Sequence, residues 1–353
     1  MNPDYVRIIA ASDEDRRGLF AATARRIGTT VQNIEKDFWV CWTLDTLFHR
    51  LPAGGPRLLF KGGTSLSKAF ELIDRFSEDI DVTVFRSDLG EPAPLEELEG
   101  LTGKKRRARL DAIKDACRHY VHGDLRTQLA HAFDTVLQAA GRRHSAAGVV
   151  ADEGDPDSQT LLIHYPSVAA AADSYVRPSV KLELGAKSAL APNVSASVEP
   201  FIATEMATTG LRVHAVTTID PARTFWDKVI ILHGLRRWFE RRGELRQEGR
   251  RITRHYYDVH SLLRARTDQS FLADQALAAE CVRHARMFFG RPDLDLEHAA
   301  PGTFAIVPTS DMRGRLERDY VNMSGMIFGP IPPFHEVLET MADLERRLNE
   351  PGS

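Results

Sequence analysis

The chain has 353 residues, 43% of them apolar and 27% charged, with a formal net charge of −3. This profile excludes a disordered or fibrous protein and gives room for one large or two ordinary domains with buried cores. The near-neutral balance gives no global nucleic-acid signature, so any polyanion has to be held by local basic patches.

The chain starts MNPDYVRIIAASDEDRR, with no signal-peptide apolar core, and no later run nears the roughly eighteen apolar residues of a membrane span. A cytoplasmic protein without membrane contact is expected. Residues 13–28 read as a helix with Ser12 as N-cap, and 31–50 as a second, with Ile34, Phe38, Cys41, Trp42, Leu44 and Leu47 at mostly helical spacing. Lys36 and Asp37 on that helix either cap and brace it or assist a site. Cys41, Cys117 and Cys281 are odd in number and far apart, which supports neither a disulfide framework nor a zinc site.

The turn Pro52–Pro56 leads into a short apolar strand at 57–60, which stops at Gly62-Gly63. Paired glycines permit positive φ and close approach of a ligand to the main chain. Thr64 is then a cap for a helix from Ser65 to about Ile73, whose first N–H groups would face an anion. After Arg75 the period becomes two: Ser77, Asp79 and Asp81 share one strand face, and Ile80, Val82 and Val84 the other. Same-face carboxylates about 7 Å apart can share Mg²⁺ (or Mn²⁺), which favours carboxylate, water and phosphate oxygens. Strand, glycine turn, helix and D-x-D strand point to nucleotidyl transfer from a nucleoside triphosphate (NTP). A solvated edge strand is the plainer alternative.

The stretch FKGGTSLSKAFELIDRFSEDIDVTVF resembles the signature of the AbiEii/AbiGii toxin nucleotidyltransferases, in the DNA polymerase β-like superfamily. That pattern, G-G-T/S, a helix, then R-x-S-x-D-I-D, is met by Gly62, Gly63, Thr64, Arg75, Ser77, Asp79 and Asp81. The segment IEKDFWVCWTL is similar to a run the family carries before the turn. The resemblance implies an α+β fold: a polymerase β-like domain over 1–219, its mixed sheet flanked by helices, and a mainly helical C-terminal domain over 220–353. It also implies that Asp79 and Asp81 hold the metal, while Lys61, Gly62, Gly63, Thr64 and Ser77 hold the nucleotide.

Beyond Pro92 and Pro94 come helical stretches near 94–122 and 124–141, read as an insertion, with the basic run Lys104–Arg109 as a possible RNA contact. Residues 142–158 read as a flexible excursion. Strands resume at 160–165 and 180–184. In the second, Lys181 and Glu183 face away from Val180, Leu182 and Leu184. Glu183 is either a third metal carboxylate, as K-L-E-L-G resembles a family strand, or an ordinary solvent-facing residue. A strand at 211–216 precedes Asp220-Pro221, a strong helix start.

That helix, to about Phe239, carries Arg223–Lys228 (RTFWDK), similar to the family's R-T-F-W-E-K motif with Asp227 for Glu. The resemblance makes Lys228 a cation for the developing phosphate charge. From 236 to 254 runs an Arg-rich connection, and Arg236, Arg237, Arg241, Arg242 and Arg246 with neighbouring aromatics are the RNA-binding candidates. RHYYDV, from Arg254, resembles the family's R-x-Y-Y-D-L. There Asp258 either forms an i,i+4 pair with Arg254 or acts at the site, as base or as the group orienting Lys228. MIFGPIPPF, from Met326, is similar to a family tail.

The reading is a Mg²⁺-dependent transferase that moves a nucleoside monophosphate from an NTP to an RNA hydroxyl. The resemblance implies the tRNA 3′ end as acceptor and a cognate antitoxin as partner. The rivals are transfer to a small-molecule or protein hydroxyl and, further off, a HEPN-like ribonuclease built on Arg250 and His255 or Arg254 and His260.

Overall fold

A computed structural model of the chain describes residues 2–142, 147–169, 178–206, 210–246, 251–265 and 270–350. The backbone divides into two units: Met1–Phe70 with Phe76–Ala93 and Leu101–Ile219, and Glu71–Arg75 with Pro94–Gly100 and Asp220–Ser353.

The first unit opens with three helices, α1 (Pro3–Ala10), α2 (Asp13–Ile27) and α3 (Val31–His49). Asn2, Ser12 and Thr30 cap them, each side-chain oxygen taking an otherwise orphaned N–H. Nearly all of α3 is buried, with Trp39 packed among Phe38, Trp42, Phe133 and Tyr165. Strand β1 (Leu58–Lys61) runs into α4 (Gly62–Lys68), and β2 (Asp79–Val84) follows. Next come α5 (Leu95–Gly100), which belongs to the second unit, then α6 (Gly103–Tyr120) and α7 (Arg126–Ala139), joined by a π turn. The remaining strands are β3 (Gly148–Ala151), β4 (Thr160–His164), β5 (Ser179–Gly185), β6 (Asn193–Val198) and β7 (Val213–Ile219).

All seven strands form one mixed sheet in the order β3-β4-β5-β2-β1-β7-β6. Central β2 pairs antiparallel with β1 and parallel with β5. Ile80, Val82 and Leu182 are fully buried on one face, which leaves the charged residues of the same strands on the other.

Several expectations are corrected here. The helix after the glycines begins at Gly62 and ends at Lys68, so Thr64 is inside it and is not its cap. Residues 148–151, inside the expected excursion, form strand β3, while 143–146 lie outside the described residues. Strand β7 runs from Val213 to Ile219, later than expected, and the exposed edge strand β6 was not foreseen.

The described part of the second unit is helical, with α8 (Pro221–Arg242), α9 (Arg254–Ala265), α10 (Ser270–Ala273), α11 (Gln275–Phe289), α12 (Ser310–Ser324) and α13 (Phe334–Asn349). Asp220 caps α8 with Pro221 at its first position, and Gly243 ends it with φ 69°. Asp319 takes the N–H and hydroxyl of Thr253, fixing the entry to α9. Glu96 and Glu99 of α5 receive Arg283 of α11. Residues 71–75 are held by an antiparallel bridge between Arg75 and Ile327, beside a 2.8 Å bond from the Phe328 N–H to the Asp74 carbonyl. No helix among the described residues is long and apolar enough to cross a membrane.

Candidate functional site

Sheet register assembles the acids of the first unit. Lys61 lies opposite Asp81, which lies opposite Glu183, and two positions along Asp79 lies opposite Lys181. Directly paired residues share a face, so Asp79, Asp81 and Glu183 project from the same side of β2 and β5. Gly62 makes room for this. It has φ +80°, and a Cβ there would stand 2.0 Å from Asp81 Oδ2. The glycine required by the turn is thus required a second time by the carboxylate beside it.

Asp79 is pushed up to about 6, chiefly by burial, then by the charges of Glu78 and Glu183. Lys36 opposes this effect, and its Nζ is 3.1 Å from Glu78. Asp81 is 28% exposed, with Lys61 3.6 Å away. Glu183 is bonded to Lys181 on its own strand, so it stands in the acidic row with its charge already matched. Among the described residues no three His, Cys, Asp or Glu side chains converge as a ready-made metal cage. The donor set nevertheless fits a hard divalent cation: Asp79 and Asp81 supply carboxylate oxygens, and crowded negative charge at Asp79 is what such an ion relieves.

Two expected helpers have bracing partners. The Thr64 hydroxyl donates to the carbonyl of Asp79, tying α4 to the D-x-D strand. Asp37 is buried, accepting from the Phe201 N–H at 2.6 Å with Lys68 at 2.7 Å. Ser77 contributes its carbonyl to Thr64 at 3.4 Å.

The second unit holds its own charged cluster. Asp258 is fully buried, and Arg75 grips both of its oxygens, Nε to Oδ1 at 2.7 Å and a terminal nitrogen to Oδ2 at 2.8 Å. Lys228 adds a third contact, 2.7 Å to Oδ2. Despite burial, the two cations hold Asp258 far below the usual carboxylate range. The i,i+4 pairing with Arg254 is therefore not what Asp258 makes. A carboxylate so held is a poor proton acceptor, and of its two expected roles the contacts support orienting Lys228. In the sequence Arg75 carries no role beyond its place in R-x-S-x-D-I-D. That place was the available signal, but a partner 183 positions away leaves no local pattern.

The five arginines proposed for RNA have partners within this unit. Arg236, Arg237, Arg241 and Arg242 occupy the end of α8, which extends beyond the expected Phe239. Arg236 and Arg237 pair with Glu240, Arg241 with Asp295 at 2.9 Å, and Arg242 with Asp293. Arg246 lies over the Trp238 ring, 5.7 Å from its centroid. Of the rival ribonuclease pairs, His260 is bonded to Thr340 at 2.8 Å, and Arg250 lies outside the described residues.

A family model, "Nucleotidyl transferase AbiEii toxin, Type IV TA system", matches residues 45–340. Among solved structures, the chain is similar to MenT4, a nucleotidyltransferase toxin from Mycobacterium tuberculosis H37Rv. The two are 15% identical, with a TM-score of 0.35, over 87% of this chain and 98% of that one. No curated protein matches.

Proposed function

The chain belongs to the AbiEii nucleotidyltransferase toxins of type IV toxin–antitoxin systems, and from that premise we propose that it transfers a nucleoside monophosphate from an NTP to the 3′ end of tRNA, blocking translation in the cytoplasm until a cognate antitoxin silences it. The observation that carries the chemistry is the paired register of β2 and β5, with Asp79 and Asp81 on one face beside the Gly62 turn. Asp79 and Asp81 would hold Mg²⁺, with Glu183 the third carboxylate in the row. The bound ion polarises the α-phosphate and offsets charge as it develops.

In the reaction the attacking hydroxyl oxygen forms a bond to the α-phosphorus, the bond from that phosphorus to the bridging oxygen breaks, and pyrophosphate leaves with the electron pair. The hydroxyl proton passes to water. Lys61, Gly62, Gly63, Thr64 and Ser77 are assigned to the triphosphate on the motif they match. Lys228, oriented by Asp258, supplies positive charge to the departing phosphates. Arg236, Arg237, Arg241, Arg242 and Arg246 are the RNA contacts the composition suggests, and phosphates would have to compete there with Glu240, Asp293 and Asp295. That competition favours a second reading, transfer to a small-molecule or protein hydroxyl. The deciding experiment incubates the protein with total tRNA, Mg²⁺ and each α-labelled NTP in turn, with and without a chelator. Chelator-sensitive label on tRNA is expected. Label on protein alone, or none on RNA with any NTP, would overturn the tRNA reading.

A further inference from the structure

Lys36, Lys61 and Lys181 all pair with acids at or beside the D-x-D strand, but they are held with different firmness. Lys36 is nearly out of solvent against Glu78, and a buried pair is costly to part. Lys61, 3.6 Å from Asp81, is 27% exposed. Lys181 is 36% exposed, and the Glu183 carboxylate that holds it is 41% exposed. Exposed pairs of this kind contribute only about 0–1 kcal/mol, so either lysine can be exchanged for a stronger partner at little cost.

Lys181 stands two positions before Glu183 on β5, on the same face, and opposite Asp79 of β2. The charges of Asp79 and Asp152 reach it as well. Its ammonium group thus occupies the acidic row that a divalent cation would take. Asp79, Asp81 and Glu183 bring three negative charges to this row, and Lys61 and Lys181 bring two positive ones, one from each strand flanking β2. Carboxylates that turn to a metal release these ammonium groups, which then need another anion. The two lysines stand on either side of β2, roughly 10 Å apart by strand spacing, on the face assigned above to metal and triphosphate. A lysine is a point charge on a flexible stem, so it can turn from a carboxylate to a phosphate oxygen while its strand stays in place. Lys61 already has a phosphate role through its motif. Lys181 has none.

We propose that Lys181 is a phosphate-binding residue held in reserve: Glu183 keeps it in the metal-free protein, and releases it to the triphosphate on turning to a divalent cation. The inference rests on the transferase reading above and adds to it a residue that makes metal and nucleotide bind cooperatively. By linkage, each of the two ligands then improves the other's affinity by the same factor.

The test is calorimetric and needs no acceptor, with Mn²⁺ and inorganic tripolyphosphate as probes. Lys181→Gln should bind Mn²⁺ alone about 3- to 10-fold more tightly than the wild type, because no ammonium has to be displaced. In excess Mn²⁺ it should bind tripolyphosphate about tenfold more weakly, the loss of one charge-assisted contact. With a chelator in place of Mn²⁺ the two proteins should bind tripolyphosphate within about twofold of each other, or not at all. Glu183→Gln frees Lys181 without any metal, so in chelator it should take tripolyphosphate at least about threefold more tightly than the wild type. Adding Lys181→Gln to that variant should cancel the gain. Equal weakening of Lys181→Gln with and without Mn²⁺ would make the lysine a fixed ligand and overturn the proposal. So would unchanged Mn²⁺ affinity, unchanged tripolyphosphate binding in Mn²⁺, no gain in Glu183→Gln, or a wild-type protein that binds no Mn²⁺. A Lys181→Gln protein that melts without a cooperative transition would show that the pair serves the fold, and also overturns it. The transferase reading fails separately: a wild-type protein that labels no acceptor but shows these binding changes keeps Lys181 in its role. One that labels tRNA without them does not.

Discussion

At Gly62 the absence of a side chain is a condition for a neighbour's carboxylate. Alanine there would have to hold φ near +80° and place its Cβ within 2.0 Å of Asp81 Oδ2. The backbone strain alone costs about 1–3 kcal/mol, and the clash turns Asp81 away from its row. Gly62→Ala is therefore expected to lose nearly all transfer while melting only moderately lower, read by label transfer beside a thermal scan. Asp79 gives the opposite sign in stability. Its ionisation is opposed in the folded state by burial and by Glu78 and Glu183, so removing the charge relieves the fold. Asp79→Asn should raise the melting temperature in metal-free buffer and abolish transfer. A lower melting temperature would mean that the carboxylate is a structural group.

Within the elements, α8 shows how a buried helix residue sets an acid limit. His233 is fully buried between two backbone groups: Nε2–H donates to the Asp295 carbonyl at 3.1 Å, and Nδ1 accepts the Ala305 N–H at 3.1 Å. Only the neutral ring satisfies both, and burial pushes its pKa down to about 4. A depressed histidine adds stability that is complete above the unfolded value of about 6.5 and disappears as pH falls toward 4, on the order of 3 kcal/mol in all. The wild-type protein should lose melting temperature across that window. His233→Gln, which can give and accept the same two bonds, should lose less of it, and parallel pH profiles would refute the assignment. Such pairings also mark where sequence reading ends. The D-x-D strand, the glycine turn and the Asp220-Pro221 helix start were legible because each is a local pattern. Strand β6 was not: Val194, Ala196 and Val198 alternate with Asn193, Ser195 and Ser197, but the residues are small and five of the six are not buried, so the apolar signal is weak. The start of α4 was misread because glycines usually stand outside helices. Arg75 could be seen in its motif but not understood, because its partners come from α8 and α9.

For the molecule as a whole, a net charge of −3 means that RNA affinity has to come from particular cations. The chain has two concentrations of them, and they differ in availability. The arginines at the end of α8 are matched to Glu240, Asp293 and Asp295. On the first turns of α6, Lys104, Lys105 and Arg107 are exposed and have no described partner. A cation without an internal acid binds a phosphate at no cost in broken ion pairs, so the α6 set should contribute more to RNA binding than the composition of 236–254 suggests. Two triple variants separate the sets: Arg241, Arg242 and Arg246 to Gln, and Lys104, Lys105 and Arg107 to Gln. Each is measured for tRNA affinity across a salt series and for thermal stability. The α6 variant should melt like the wild type, with the log–log salt slope reduced by about 0.7–0.9 for each phosphate no longer neutralised. In the α8 variant the melting temperature should drop slightly, because exposed ion pairs each contribute about 0–1 kcal/mol, and the slope should change less. A larger slope change in the α8 variant would show that RNA does displace Asp293 and Asp295 from their arginines. Unchanged slopes in both would remove polyanion binding from these two patches and favour the small-molecule or protein acceptor.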